Sequence, residues 1–112
     1  MLYTTIARVD EHDVPRLRAW LDDLDSRRDE LRGSYRQQGT RQEQFFLVRT
    51  RESPILVIVS EVEDALAAAE SFLHSELPID VEFKALVQAI SPEEADVELV
   101  YDSSRYIEIG GA

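Results

Sequence analysis

The chain has 112 residues and carries 23 Asp and Glu against 12 Lys and Arg, a net charge of -11. Such acidity excludes nucleic acid and anionic membrane as partners, because both need a basic footprint. No cysteine is present, which excludes a disulfide framework, a zinc-finger ligand set and a thiol nucleophile.

The run Leu2 to Val9 reads as a strand, with Leu2, Thr4, Ile6 and Arg8 on one face and Tyr3, Thr5, Ala7 and Val9 on the other. Pro15 suits a first helical turn, with Asp13 as its cap. A long helix is predicted from Val14 to Gln38. Its apolar stripe is Val14, Leu17, Leu21, Leu24, Leu31 and Tyr35, with a gap that falls on Arg27 and Arg28. Gly39 is its natural end.

Two strands follow, Gln44 to Arg49 and Ile55 to Val59. The short turn Arg51-Glu52-Ser53-Pro54 makes them an antiparallel hairpin. Ile55-Leu56-Val57-Ile58-Val59 is apolar at every position, so both of its faces are expected to be buried. Helix returns near Asp64, with Leu66, Ala69 and Leu73 marking its buried face. It breaks at Pro78 and resumes through Ile79, Phe83, Leu86, Val87 and Ile90. Asp96 to Asp102 alternates as a last strand, and a short strand at Tyr106 to Ile109 would extend the tail.

The order β-α-β-β-α-β is the split βαβ of a ferredoxin-like domain. The expectation is an α+β fold with a four-stranded antiparallel sheet in one domain spanning residues 1–112. Helices on one face would leave the apolar third strand, with Phe45 and Phe46 beside it, open on the other. A patch of that size calls for a cover. A second copy packing through the open sheet face gives a homodimer, the dimeric α+β barrel arrangement.

The run Ser71-Phe72-Leu73-His74-Ser75-Glu76-Leu77-Pro78-Ile79-Asp80 lies downstream of Ser60-Glu61-Val62-Glu63-Asp64. Together with Trp20 and the Arg27-Arg28 pair, it resembles an uncharacterised family of the dimeric α+β barrel superfamily. Relatives there often carry histidine directly before Pro-Ile-Asp and again three residues after the Asp. Leu77 and Phe83 stand at those positions here, so the resemblance transfers no catalytic or metal-binding histidine to them.

Ligand-binding candidates are Arg28, His74, Asp80, Tyr3, Arg27 and Tyr101. His74, near the helix break, could serve as a general base, or simply sit exposed at a helix C-terminus where its charge is welcome. Arg27 and Arg28 could clamp a carboxylate or phosphate at the barrel mouth, or pair with Asp80, Glu82 or a partner-chain carboxylate. Tyr3, Tyr101 and Arg8 could line a pocket between sheet and helices, or the two tyrosines could be core or interface aromatics. His12 lies in an acidic turn, and the two histidines have no metal-ligand spacing, so neither a metal nor a cofactor is expected.

The N-terminal stretch lacks the basic lead and apolar core of a signal peptide, and no apolar run approaches the roughly 20 residues of a membrane span. A cytoplasmic protein is expected. Eleven of the 12 basic residues are Arg, with Lys84 the only lysine. An acid-rich, lysine-poor surface suits molar salt, where the Debye length is about 3 Å. The leading functional expectation is a homodimeric protein that binds a small molecule or serves a structural role. The alternative is a cofactor-independent monooxygenase or isomerase acting on a small aromatic or polyketide-like substrate. That alternative needs an apolar pocket on which His74, Arg28 and Asp80 converge.

Overall fold

The structure is a computed structural model. It describes all residues except Pro92, Glu94 and residues 106–112, and of Arg105 only the backbone. The expected short strand at Tyr106 to Ile109 therefore lies outside the described residues.

Three antiparallel strands form the sheet: β1 (Leu2–Arg8), β2 (Thr40–Arg49) and β3 (Pro54–Val62), in the order β1-β3-β2. Thr4, Val59 and Gln44 share one cross-strand row, and Ile6, Val57 and Phe46 the next. Period-two geometry then assigns Tyr3, Thr5 and Ala7 to the same face as Leu56, Ile58, Glu43 and Phe45. The central strand alternates: Leu56, Ile58, Ser60 and Val62 are buried, whereas Ile55, Val57 and Val59 are only partly covered. Both faces of β3 were expected to be buried. Within one chain, helices cover only one of them.

The expected long helix is interrupted. Helix α1 (Val14–Asp22) gives way to a 3-10 stretch at Asp23–Arg27 before α2 (Arg28–Gln38). The break falls in the gap of the apolar stripe, where no buried side chain holds the α-helical register. There Ser26 Oγ donates to the Asp23 carbonyl at 2.7 Å, a local bond that competes with the helix ladder. Gly39, at φ 71°, ends α2 in the left-handed conformation that costs a side-chain-bearing residue most. Its carbonyl accepts from Glu63 N at 3.1 Å and ties that end of the helix to the end of β3.

Asp64 caps α3 (Ala65–His74) by accepting from Ala67 N at 3.0 Å. Pro78 then opens α4 (Pro78–Ile90), as its fixed φ and missing N–H dictate. The buried face of α3 is not the one expected. Leu66 and Leu73 are 72% and 64% exposed, and Ala68, at 1%, points inward with Phe72 beside it. Packing of α3 against α2 selects this small face, and Ser71 Oγ there reaches the Gln37 carbonyl at 3.3 Å.

Among the described residues the sheet has three strands where four were expected. Asp96 to Asp102 forms no ladder, and Val97, Leu99 and Val100 are exposed. Alternation prepares a strand to bury one face, but among the described residues no strand pairs with this segment and its apolar side chains stay exposed. The core joins Ala7, Val9, Leu56 and Ile58 of the sheet side to Val14 and Leu17 of α1 and Leu86 and Ile90 of α4. Each fully buried leucine there contributes about 2 kcal/mol of transfer free energy. Among the described residues no helix is long and apolar enough to cross a membrane.

Candidate functional site

The core does not fill the space between sheet and helices. A cavity of about 380 Å³ remains, lined by all three strands and by residues of α1, α2, α3 and α4. Its walls are mostly apolar. Trp20 and Phe83 stack with ring centroids 5.0 Å apart, while Phe45 and Phe72 meet Phe83 at 5.6 and 6.1 Å. The Trp20 indole N–H is buried and, among the described residues, has no hydrogen-bond partner of normal geometry. The solvent-exposed Thr5 and Leu73 also line the cavity, marking its rim.

Two carboxylates face this space in different settings. Asp80, in the first turn of α4, is only 4% exposed. Ser34 Oγ donates to Oδ1 at 2.5 Å and Ser75 Oγ donates to Oδ2 at 2.6 Å. Ser34 in turn accepts from Gln38 Nε2 at 2.9 Å, and Ser75 accepts from Leu77 N at 3.2 Å. The network bolts α2, the α3–α4 link and the start of α4 together. Lys84 reinforces it by donating to the carbonyls of Leu73 and Ser75 at 2.9 and 3.0 Å.

Glu43 projects from β2 and is held more loosely. Tyr35 Oη donates to Oε1 at 3.3 Å and Ser60 Oγ donates to Oε2 at 3.0 Å. Burial pushes its carboxyl above the usual range, the Asp80 charge adds to that, and the Ser60 and Tyr35 hydrogen bonds oppose it. Burial and the Glu43 charge likewise raise the Tyr35 and Tyr3 phenols, so both remain protonated donors. Among the described residues no salt bridge reaches Glu43 or Asp80. Glu43 can therefore accept a hydrogen bond, or a proton, from a guest in the cavity.

Of the residues singled out from sequence, Tyr3 and Asp80 line the cavity. His74 and Arg28 are exposed and form no part of its lining. The convergence of His74, Arg28 and Asp80 that the enzyme alternative needs is thus not formed. Arg27 bridges Glu30 and Glu82, at 2.7 and 2.5 Å, and links the start of α2 to α4. This is the Glu82 salt bridge weighed from sequence. Tyr101 is 69% exposed and is not part of the cavity lining. Asp10, His12 and Asp13 bring ligand atoms within 4.8 Å of one another, but Asp10 and His12 are exposed and the turn has no buried polar support.

Sequence reasoning missed Glu43 and Ser34 as cavity groups, and Ser75 and Ser60 as the hydroxyls that donate to Asp80 and Glu43. For Glu43 the signal was present. It lies two residues before Phe45, so a strand begun at Thr40 instead of Gln44 puts both on the helix-facing side.

Fold and cavity together define an α+β domain built around a partly open, mostly apolar space with two acids in its lining. The chain belongs to a family of unknown function, DUF6176, whose profile matches residues 2–108. No curated protein matches the chain. No solved structure matches it.

Proposed function

We propose that this protein binds a small, largely apolar molecule in the cavity between its sheet and helices. The observation that carries this is the cavity itself: about 380 Å³, walled by Trp20, Phe45, Phe72 and Phe83, with polar groups gathered near Glu43 and Asp80. Pockets for small ligands are of this kind, apolar with a few convergent polar groups and volumes from about 300 Å³ upward. Prodan, a neutral naphthalene dye, tests the reading. Saturable uptake with a blue-shifted emission, one dye per chain, is expected, and Leu31→Trp, which fills the cavity from α2, is expected to abolish it. Dye uptake that is absent, or indifferent to Leu31→Trp, overturns the proposal.

We infer further that the chain works as a homodimer of ferredoxin-like subunits, closed through the open sheet face. Ile6, Val57 and Phe46 lie in one row of that face and Ile55 and Val48 in the next, with Phe46 and Val48 47% and 43% exposed. An apolar surface of this extent favours a cover, and a two-fold partner is the commonest one. In that assembly Asp96 to Asp102 is the fourth strand, with Val97 and Leu99 gaining a surface to bury against. Sedimentation in dilute and molar salt tests it: a dimer mass is expected, and a monomer in both conditions ends the inference.

A further inference from the structure

We propose that the guest of this cavity is an organic cation, a protonated amine on an apolar body, held by Glu43 at its charged end and by the aromatic wall along its length. The proposal rests on the reading of the cavity as a binding site and adds the charge of its ligand.

Glu43 is half-buried, and a carboxylate partly withdrawn from water is destabilised unless a counter-charge or a full set of donors meets it. Glu43 receives two hydroxyl donors, from Tyr35 and Ser60, and a carboxylate has about four acceptor positions. Among the described residues no cation completes the set. Among the described residues Lys84 is the one basic side chain in the cavity lining, and its ammonium is engaged by the carbonyls of Leu73 and Ser75. Asp80, also in the lining, adds a second acidic group to the same space. The missing counter-charge is supplied either by a proton on Glu43 or by a cationic guest.

The apolar walls favour the guest. Glu43 and Phe45 lie on the same face of β2, and Phe45 leads through Phe83 to Trp20 by ring contacts of 5.6 and 5.0 Å. Aromatic faces attract a desolvated cation, Trp most strongly. An ammonium at Glu43 would also form a charge-assisted hydrogen bond, roughly twice as strong as a neutral one. A carboxylate or phosphate on the guest would instead face two acids in a space of low dielectric. The interior therefore discriminates by sign of charge.

Trp20 is the only tryptophan and lines the cavity, so its fluorescence reports occupancy. Three probes of matched shape separate the contributions: 4-phenylbutylamine, 4-phenylbutanol and 4-phenylbutyrate, titrated at neutral pH and low ionic strength. The amine is expected to bind about tenfold more tightly than the alcohol, with the carboxylate weakest. In Glu43→Gln the preference for amine over alcohol is expected to shrink to within about twofold. Equal binding of amine and alcohol, or a preference that survives Glu43→Gln, overturns the charge assignment while leaving the cavity as a binding site. Failure of the amine to bind overturns it as well, and prodan uptake then shows whether the cavity reading falls with it.

Discussion

Two acidic corners of one cavity have been built in opposite ways. At Asp80 every carboxylate oxygen meets a serine hydroxyl at 2.5 or 2.6 Å, each serine has a further partner, and the residue stands in the first turn of a helix whose dipole favours it. At Glu43 the two hydroxyl donors stand off at 3.0 and 3.3 Å and burial raises the carboxyl. A buried acid that is fully satisfied holds elements together. One that is partly satisfied retains capacity for something else. The difference assigns Asp80 to architecture and leaves Glu43 with acceptor capacity that the fold does not use.

The largest expected effect lies at Asp80. Truncation to Ala removes both serine bonds, strands two buried hydroxyls and loosens the joint between α2 and the α3–α4 link. Removing one member of a buried charged network costs about 3 kcal/mol. A urea titration of Asp80→Ala should show that loss as a lower midpoint. A variant that keeps wild-type stability would break the contrast, because Asp80 would then be as dispensable to the fold as Glu43 is argued to be.

At Glu43 the sign reverses. Its folded carboxyl is held above the ordinary value of 4.5, so the folded chain keeps that proton to higher pH than the unfolded chain does. The group's contribution to stability is complete below that ordinary value and is lost as pH rises through the folded one. Glu43→Gln removes the loss. The variant should match wild type near pH 4 and exceed it at neutral pH, since the amide leaves no buried charge to desolvate. Thermal unfolding across that window measures it. A variant less stable than wild type at neutral pH would place Glu43 with Asp80 as a structural acid.

Much of the frame behind this contrast was legible in the residues. Pro78 fixed the break between α3 and α4, and the apolar run through Ile58 marked the central strand. The lapse of the first helical stripe at Arg27 marked the 3-10 stretch, although the spacing alone did not show that the helix stops there. Two misreadings share a cause. Leu66 and Leu73 were expected to be buried because, with Ala69, they form a stripe at helical spacing, yet α3 approaches α2 through Ala68, where a small side chain permits close contact. Asp96 to Asp102 alternates correctly for a strand, but alternation says which side would be buried and not whether a neighbour exists to bury it. The cavity itself was least legible, because Glu43, Ser34 and Asp80 come from separate elements and only tertiary packing brings them together.

The smallest effect is expected at a third acidic group, outside the cavity, where the comparison meets solvent. Arg27 holds Glu30 and Glu82, and its hydrogen bonds lower both carboxyls. Their contribution is present above the ordinary carboxyl range and lost as pH falls through the lowered values, the opposite sense to Glu43. Both partners are solvent-accessible, so water and salt screen the attraction. Arg27→Ala should lower the urea midpoint at low ionic strength by much less than Asp80→Ala. In about 1 M salt the difference should close, since charges are then screened within roughly 3 Å. An Arg27→Ala loss that persists in molar salt would show that this bridge works by contact and shape. It would then join Asp80 as a fastening between α2 and α4, and Glu43 alone would remain as the acid the fold does not need.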